Sequence, residues 1–283
     1  MTQTASIVRC AVIGNPISHS RSPFIHQGFA RQTGLALRYD TIEAPLSGFA
    51  REVERFFAEG GIGLNVTVPF KQEAFRLAGD ALSARARIAG AVNTLWMKQD
   101  RLHGCNTDGV GLLGDITRLG YPPEGKRILI VGAGGAARGV LEPLLRAGCA
   151  VLRVVNRTPG RALELQDHLS LHAPELAARL QVGGLDQAAG SWDIVINATS
   201  SGLASQAPPL PAGLFAAGAL AYDMVYGPRA TAFMRQAADD GAATTADGLG
   251  MLVAQAAASF AIWHGRAPDI GSTLTALRDT LYT

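Results

Sequence analysis

Cysteine is scarce in this sequence: Cys10, Cys105 and Cys149 lie far apart, and none stands in a Cys-x-x-Cys pair. An odd, scattered set of this kind argues against a disulfide framework and a structural zinc site, and for a reducing compartment. Charge is sparse as well. Only 17% of the 283 residues are charged and the formal net charge is +2. With no Lys/Arg stripe, neither nucleic acid nor an acidic membrane is an expected partner. No apolar run reaches the roughly 18 residues of a membrane span; the longest candidate, 249–263, is interrupted by Gln255 and Ser259. The first six residues lack the basic and apolar regions of a signal peptide, so the cytoplasm is the expected location. His168 and His172 have i, i+4 spacing but no third ligand in evident partnership, and no metal is expected.

What the chain does have is length enough for two cores, 48% hydrophobic residues and strands alternating with helices throughout. Strands are expected at 7–13, 37–42, 62–68 and 91–97, then at 127–131, 151–156, 181–182, 193–197 and 220–224. Helices begin at Ser22, read as an N-cap before Pro23, and at 47, 70, 81 and 110. Period two puts Asn65 and Thr67 on a polar face opposite Val66 and Val68. Pro122-Pro-Glu-Gly125 reads as the hinge between domains, and Pro143 should kink its helix or force it to restart. The last two helices, 249–263 and 270–281, have no strand between them and are expected to pack back on the first domain.

The chain is organised around Arg127-Ile-Leu-Ile-Val131 followed by Gly132-Ala133-Gly134-Gly135-Ala136-Ala137. The spacing Gly-x-Gly-x-x-Ala is that of a dinucleotide turn, with the diphosphate at a helix N-terminus. A tight strand-to-helix connection can look the same. The next strand ends in Asn156-Arg157-Thr158, where an NAD site usually has an acidic residue, and Arg161 follows. Cations in a first helical turn oppose the helix dipole, which makes an anionic partner such as a 2'-phosphate the economical reading and favours NADP. Asn197-Ala-Thr-Ser-Ser-Gly202 is a candidate cofactor-side loop.

In the first half, Lys71 follows a strand end and opens a helix that disfavours its charge, so a nearby carboxylate would restore it. Asp108, at another helix start, is the natural candidate, although it also reads as an ordinary N-cap. Ser18 and Ser20 flank His19 in a loop suited to receive a carboxylate or simply to cap the next helix.

Taken together, these residues resemble the shikimate dehydrogenase family. The matching pieces are 14–20 with Ser22-Pro23, Asn65-Val-Thr-Val-Pro-Phe-Lys71, Gly90-Ala-Val-Asn-Thr-Leu95, Asn106-Thr-Asp-Gly109, the glycine turn, Asn156-Arg-Thr158, Asn197-Ala-Thr-Ser200, Tyr222-Asp-Met-Val-Tyr226 and Asp247-Gly-Leu-Gly-Met-Leu-Val-Ala-Gln255. They occur in the family's order over nearly the whole chain. The resemblance implies an α/β fold with a substrate domain of residues 1–108 plus 248–283 around a Rossmann-like, doubly wound NADP domain of residues 109–247. It implies reversible NADPH-dependent reduction of 3-dehydroshikimate to shikimate, a step of aromatic amino acid biosynthesis, by a monomer or homodimer.

Lys71 and Asp108 are implied as the catalytic pair. Ser18, Ser20 and Thr67 would hold the substrate carboxylate, and Asn93, Asp108, Tyr226 and Gln255 the ring hydroxyls. Gly132, Ala133, Gly134, Gly135, Ala136, Asn156, Arg157, Thr158, Arg161, Met224 and Gly248 would hold the cofactor. Ala84 stands where some members carry an acidic residue near the cofactor. Relatives with shifted specificity toward quinate more often carry an acidic residue at the Asn156 position; a catalytically silent ligand sensor would have no need of both Lys71 and Asp108.

Overall fold

The computed structural model describes residues 7–199 and 206–282. Contacts divide the chain into two compact units, one of residues up to Thr107 with Val253–Thr280, the other essentially Asp108–Leu252.

The first unit begins with β1 (Val8–Gly14), α1 (Ser22–Thr33), β2 (Leu37–Glu43), α2 (Phe49–Ala58) and β3 (Gly61–Val66). It continues with α3 (Lys71–Ala78), α4 (Ala84–Ala89) and the hairpin of β4 (Thr94–Lys98) and β5 (Arg101–Cys105). The sheet order is β2-β1-β3-β4-β5, with β1 parallel to β2 and β3, and β4 antiparallel to both its neighbours. Gln99 and Asp100, both at positive φ (51° and 57°), make the two-residue turn whose twist matches the strands. Helix α2 turns Phe49, Val53 and Phe56 inward at i, i+4 and i+7, against Leu64, Val66, Phe70 and Leu95 of the core. Each such side chain, fully removed from water, contributes about 1.5–3 kcal/mol.

Several expected boundaries move, each for a local reason. Ser22 is not the cap of α1: it is the first helical residue, and its N–H donates to the Ser20 hydroxyl at 3.3 Å. β3 stops at Val66 because Thr67 begins a turn, its carbonyl accepting the Phe70 N–H at 3.0 Å. The alternation therefore ends before Thr67, and Asn65 is buried within the unit rather than on a polar face. β4 starts at Thr94, leaving Asn93 just before it. Helix α4 starts at Ala84, because the Ser83 hydroxyl caps it by accepting the Ala86 N–H at 3.2 Å.

The second unit opens with α5 (Asp108–Arg118) and then β6 (Arg127–Val131), α6 (Gly135–Arg146), β7 (Val151–Val155), α7 (Pro159–His172) and α8 (Pro174–Ala177). After β8 (Leu180–Gly183) come a short 3-10 turn at Leu185–Ala188, β9 (Trp192–Asn197), β10 (Phe215–Asp223), α9 (Ala232–Asp239) and β11 (Thr244–Asp247). The six strands are parallel in the order β11-β10-β9-β6-β7-β8, a doubly wound sheet whose order reverses between β6 and β9. Strand β11 escapes the sequence pattern because Thr244-Thr-Ala-Asp247 has no large apolar residue.

The expected hinge at 122–125 is corrected: α5 lies before it in the chain yet packs on α6 within the second unit. Pro143 does not restart α6 either, which is one helix from Gly135 to Arg146. The Gly139 carbonyl, which Pro143 cannot bond, lies against Gly109 of α5.

The last helices are α10 (Leu249–His264) and α11 (Ile270–Tyr282), and Val253–Thr280 packs in the first unit. No helix among the described residues is long and apolar enough to cross a membrane. Against α1, Phe260 meets Phe29 edge-on at 5.6 Å, and the Gln32 amide donates to Thr273 and Ser272 at 2.8 and 2.9 Å. His26 is wholly buried, stacked on Tyr39 at 4.2 Å and on Trp263 at 5.4 Å, and neither ring nitrogen has a hydrogen-bond partner. Burial, reinforced by the nearby His264, holds His26 down to about 3, and burial beside Arg266 holds His264 down to about 4.

Both histidines are therefore neutral in the folded chain over the range where the unfolded chain takes up protons. Their contribution is complete above pH 6.5 and is lost as the pH falls toward the folded values. For His26 alone the slope approaches about 1.4 kcal/mol per pH unit, with a smaller part from the half-exposed His264. Urea unfolding between pH 7.5 and 4.5 is expected to show this loss of stability, and His26→Phe to flatten it. An unchanged slope in that variant would remove His26 from the account.

Candidate active site

Parallel strands deliver their carboxyl ends to one edge of the first unit's sheet. There the Thr67 N–H donates to the Ile13 carbonyl at 3.0 Å, and the Asn15 N–H to the Val68 carbonyl at 3.1 Å. These bonds set the β1 and β3 exits side by side. Ser18 is exposed and Ser20 half-buried in the loop after β1, while Thr67 is half-buried just past β3. Lys71, half-buried, opens α3, and its carbonyl accepts the Val92 N–H at 2.9 Å. That bond fastens the start of α3 to the segment carrying Asn93.

Asn93 is 3% exposed and its amide has a fixed direction. Its Oδ1 accepts the Thr107 N–H at 2.9 Å and the hydroxyls of Thr107 and Thr94 at 3.1 and 2.8 Å. With the oxygen consumed, the nitrogen is the end that can meet a ligand; it lies 3.5 Å from Gln255 Oε1. Gln255 is held the same way, its Oε1 also accepting the Thr107 hydroxyl at 3.3 Å. Beneath them Ser259 donates to the Gln255 carbonyl at 3.2 Å and accepts from Asn65 at 3.0 Å. Asn65 in turn accepts the Tyr39 hydroxyl at 2.7 Å and donates to the Asn93 carbonyl at 3.1 Å. So buried a network is stable because its polar groups are paired with one another. Asn65, Thr94, Thr107 and Ser259 were not read as site residues, and only the Asn-Thr runs and the spacing of Ser259 one helical turn after Gln255 could have pointed to them.

In the second unit β6 runs into the glycine turn. Gly132 has φ of 108°, and a Cβ there would stand 2.9 Å from the Thr199 methyl, so only glycine fits. A Cβ on Gly134 or Gly135 would meet nothing within 4 Å, so the space before the first turn of α6 is clear for a ligand. Ala136 is exposed in that turn. Asn156 braces the loop, its Oδ1 accepting the Ala133 N–H at 3.3 Å and its amide donating to the Thr158 carbonyl at 2.9 Å. Gly132, Ala133, Gly134, Asn156, Arg157 and Arg161 line one cleft of about 280 Å³, together with Thr199 and Pro208. Backbone N–H groups, a helix N-terminus and two exposed arginines suit a dinucleotide carrying phosphates at both places.

The neighbouring strand ends complete this side. Asn197 accepts the Thr199 N–H and hydroxyl at 3.2 and 2.7 Å and donates to Asp223 at 3.1 Å. Asp223, wholly buried, also accepts the Val225 N–H at 3.0 Å and the Thr231 hydroxyl at 2.6 Å. Burial raises its carboxyl, and these donors oppose the rise. Met224 follows directly, its N–H donating to the Asn197 carbonyl at 3.0 Å. A Cβ on Gly248 would run into the Met224 carbonyl, so these two expected cofactor residues touch. Tyr226 is half-buried two residues on, and Asp108, buried, begins α5. Of the expected loop 197–202, residues 200–202 lie outside the described residues. The rings of His168 and His172 are 4.7 Å apart, and no group of three metal-ligating side chains occurs among the described residues.

Family models match three stretches of the chain: the shikimate dehydrogenase substrate binding domain at residues 12–95, shikimate / quinate 5-dehydrogenase at 119–205, and the shikimate 5'-dehydrogenase C-terminal domain at 248–278. The chain is 62% identical over 281 residues to the shikimate dehydrogenase (NADP(+)) of Bordetella avium and 58% identical over 283 residues to that of Bordetella petrii, covering 99% of each chain. Among solved structures it resembles shikimate 5-dehydrogenase from Thermus thermophilus in complex with NADP(H) and shikimate, with a TM-score of 0.85 and 36% identity over 97% of this chain and 100% of that one.

The cleft makes a direct prediction about the two arginines. Arg157→Asp is expected to weaken binding of NADPH at least about 10-fold more than binding of NADH, because the charge-assisted pair with a 2'-phosphate becomes a repulsion. Titrations of the two nucleotides check it, and equal losses for both would take the 2'-phosphate away from Arg157.

Proposed function

The chain belongs to the shikimate dehydrogenase family, an NADP-dependent oxidoreductase family, and on that premise we propose that Lys71 and Asp108 carry the proton chemistry as it reduces 3-dehydroshikimate to shikimate. The substrate-binding part is residues 1–108 with 248–283, and residues 109–247 bind NADP. It acts in the cytoplasm, as a monomer or homodimer, on a pathway to aromatic amino acids.

NADPH supplies the hydride when bound. The rest falls to side chains of this chain. Addition to the carbonyl carbon leaves an alkoxide oxygen, and the Lys71 ammonium stabilises that charge and gives it a proton. A positioned general acid of this kind contributes about 10²- to 10⁴-fold. In the reverse direction neutral Lys71 takes the hydroxyl proton. Asp108 accepts from the neighbouring ring hydroxyl. Asn93 and Gln255 donate to ring oxygens, as does Tyr226, and the hydroxyls of Ser18, Ser20 and Thr67 receive the carboxylate. Gly132, Ala133, Gly134, Gly135 and Ala136 take the diphosphate. Asn156, Arg157, Thr158 and Arg161 take the adenosine end, and Met224 and Gly248 the nicotinamide end.

The observation that supports the reading is the fixed direction of the Asn93 amide: its oxygen accepts from Thr94 and Thr107 and its N–H side faces Gln255, a donor placement that suits a polyhydroxylated ring. Lys71→Ala is expected to lower kcat by at least about 10²-fold with a smaller change in KM. Near-normal turnover in that variant would end the assignment. Initial rates with shikimate and with quinate, each with NADP and NAD, then fix the substrate; turnover is expected with shikimate and NADP, and its absence in all four pairings would leave a ligand sensor.

A further inference from the structure

Three elements of the second unit meet at one buried carboxylate. Asp115 lies on α5 seven residues after Asp108, on the same helical face, and is 3% exposed. Its Oδ1 accepts both Nε and Nη2 of Arg118, at 2.9 and 2.7 Å. Its Oδ2 accepts the Tyr222 hydroxyl at 2.7 Å. Tyr222 is wholly buried on β10, two residues before Met224 and four before Tyr226. The same hydroxyl oxygen accepts the Met251 N–H at 3.3 Å, in the first turn of α10. Asp115 also presses against the backbone there, since a Cβ on Gly250 would collide with its carboxylate atoms.

A phenol held by a carboxylate on another element thus does for α10 what a capping side chain normally does: the Tyr222 oxygen accepts the Met251 N–H in the first turn, and the Asp115 carboxylate beside Gly250 puts negative charge at the positive end of the dipole. Burial and the Asp115 charge push the Tyr222 phenol well above its ordinary value, so it remains a donor to the carboxylate. The bridge spans the end of β10 and the start of α10. Those are the two segments whose backbones touch at Met224 and Gly248.

We propose that Asp115 and Tyr222 are positioning residues for the reduction, locking the end of β10 to the start of α10 so that Met224 and Gly248 hold a fixed gap for the nicotinamide end of the cofactor. The inference rests on the cofactor roles of Met224 and Gly248 given above. A purely structural cluster would affect stability; a positioning cluster must affect cofactor binding in a protein that is still folded.

Tyr222→Phe keeps the ring and removes only the bridging oxygen. Titrated with NADP+ alone, it is expected to bind about 10-fold more weakly, with KM for NADP+ raised to match and KM for shikimate changed less than about threefold. Asp115→Asn keeps an oxygen for the phenol and is expected to lose less. Urea unfolding of each variant shows that the protein titrated is folded, and if Tyr222→Phe does not fold, Asp115→Asn decides by the same titration. NADP+ affinity within about twofold of the parent would overturn the proposal, whatever the stability, because a lost positioning contact must appear in binding. Direct titration needs no turnover, so failure here is distinguishable from failure of the Lys71 and Asp108 assignment, which Lys71→Ala reads in kcat.

Discussion

Where a parallel strand runs out, its last backbone groups lose their ladder partners, and in this protein the side chains that take over are mostly Asn and Asp. Asn15 follows β1 and donates to the Ala44 carbonyl at 2.8 Å. Asn156 follows β7 and holds the glycine turn, and Asn197 and Asp223 close β9 and β10 by bonding each other. Asp247 ends β11 and accepts the Leu249 N–H at 3.3 Å as α10 begins. Buried backbone polar groups left unpaired are costly, and short amide or carboxylate side chains satisfy them without needing another strand. The loops they hold are the loops that bear the proposed site. Rigidity of the site therefore follows from a requirement of the fold itself.

The same requirement explains what could be read in the sequence. Glycine turn, apolar strands and alternating helices follow from local patterns with periods of two and 3.6, so five of the six strands of the second unit's sheet could be placed from the sequence, whereas its doubly wound order was implied only by the family resemblance. The ends of elements were not. Ser22 looks like a cap by itself, yet the Ser20 hydroxyl accepts its N–H, a choice made by the geometry of the turn. Thr67 continues an alternating pattern on paper, but its carbonyl accepts the Phe70 N–H and so begins a turn. Pro122 and Pro123 look like a hinge because proline ends helices, whereas the packing of α5 on α6 is a tertiary fact that no local signal encodes.

Site residues divided in a similar way. Lys71 and the arginines after β7 stood out because positive charge at a helix start is locally anomalous, and Asp108 stood out only as the carboxylate that could offset Lys71. Asn65, Thr94, Thr107 and Ser259 did not, because a buried hydroxyl or amide is unremarkable until its partners are known. The partners come from residues up to 194 positions apart, as Asn65 and Ser259 do. Asp115 is the extreme case: on the sequence it is one more polar residue on an amphipathic helix, and its meaning lies wholly in Tyr222 and Gly250.

Hydrogen-bond polarity gives the proposed residues a division of labour that identity alone does not. Asn93 and Gln255 have their oxygens occupied by Thr107 and its neighbours, so both can act on a ligand only as donors. Lys71 as an ammonium has no acceptor, and the glycine turn and the two arginines offer donors again. Among the proposed residues Asp108 is then the one obligate acceptor, while the hydroxyls of Ser18, Ser20, Thr67 and Tyr226 can serve either way. Under the proposed roles a substrate with a carboxylate and several hydroxyl oxygens would be met almost entirely by donors, with one hydroxyl proton directed to Asp108. In the proposed mechanism recognition and chemistry would separate on that basis: donors would hold the oxygen atoms of any such ring, and the one acceptor and the one ammonium would select the oxygen at which a proton is given and taken back.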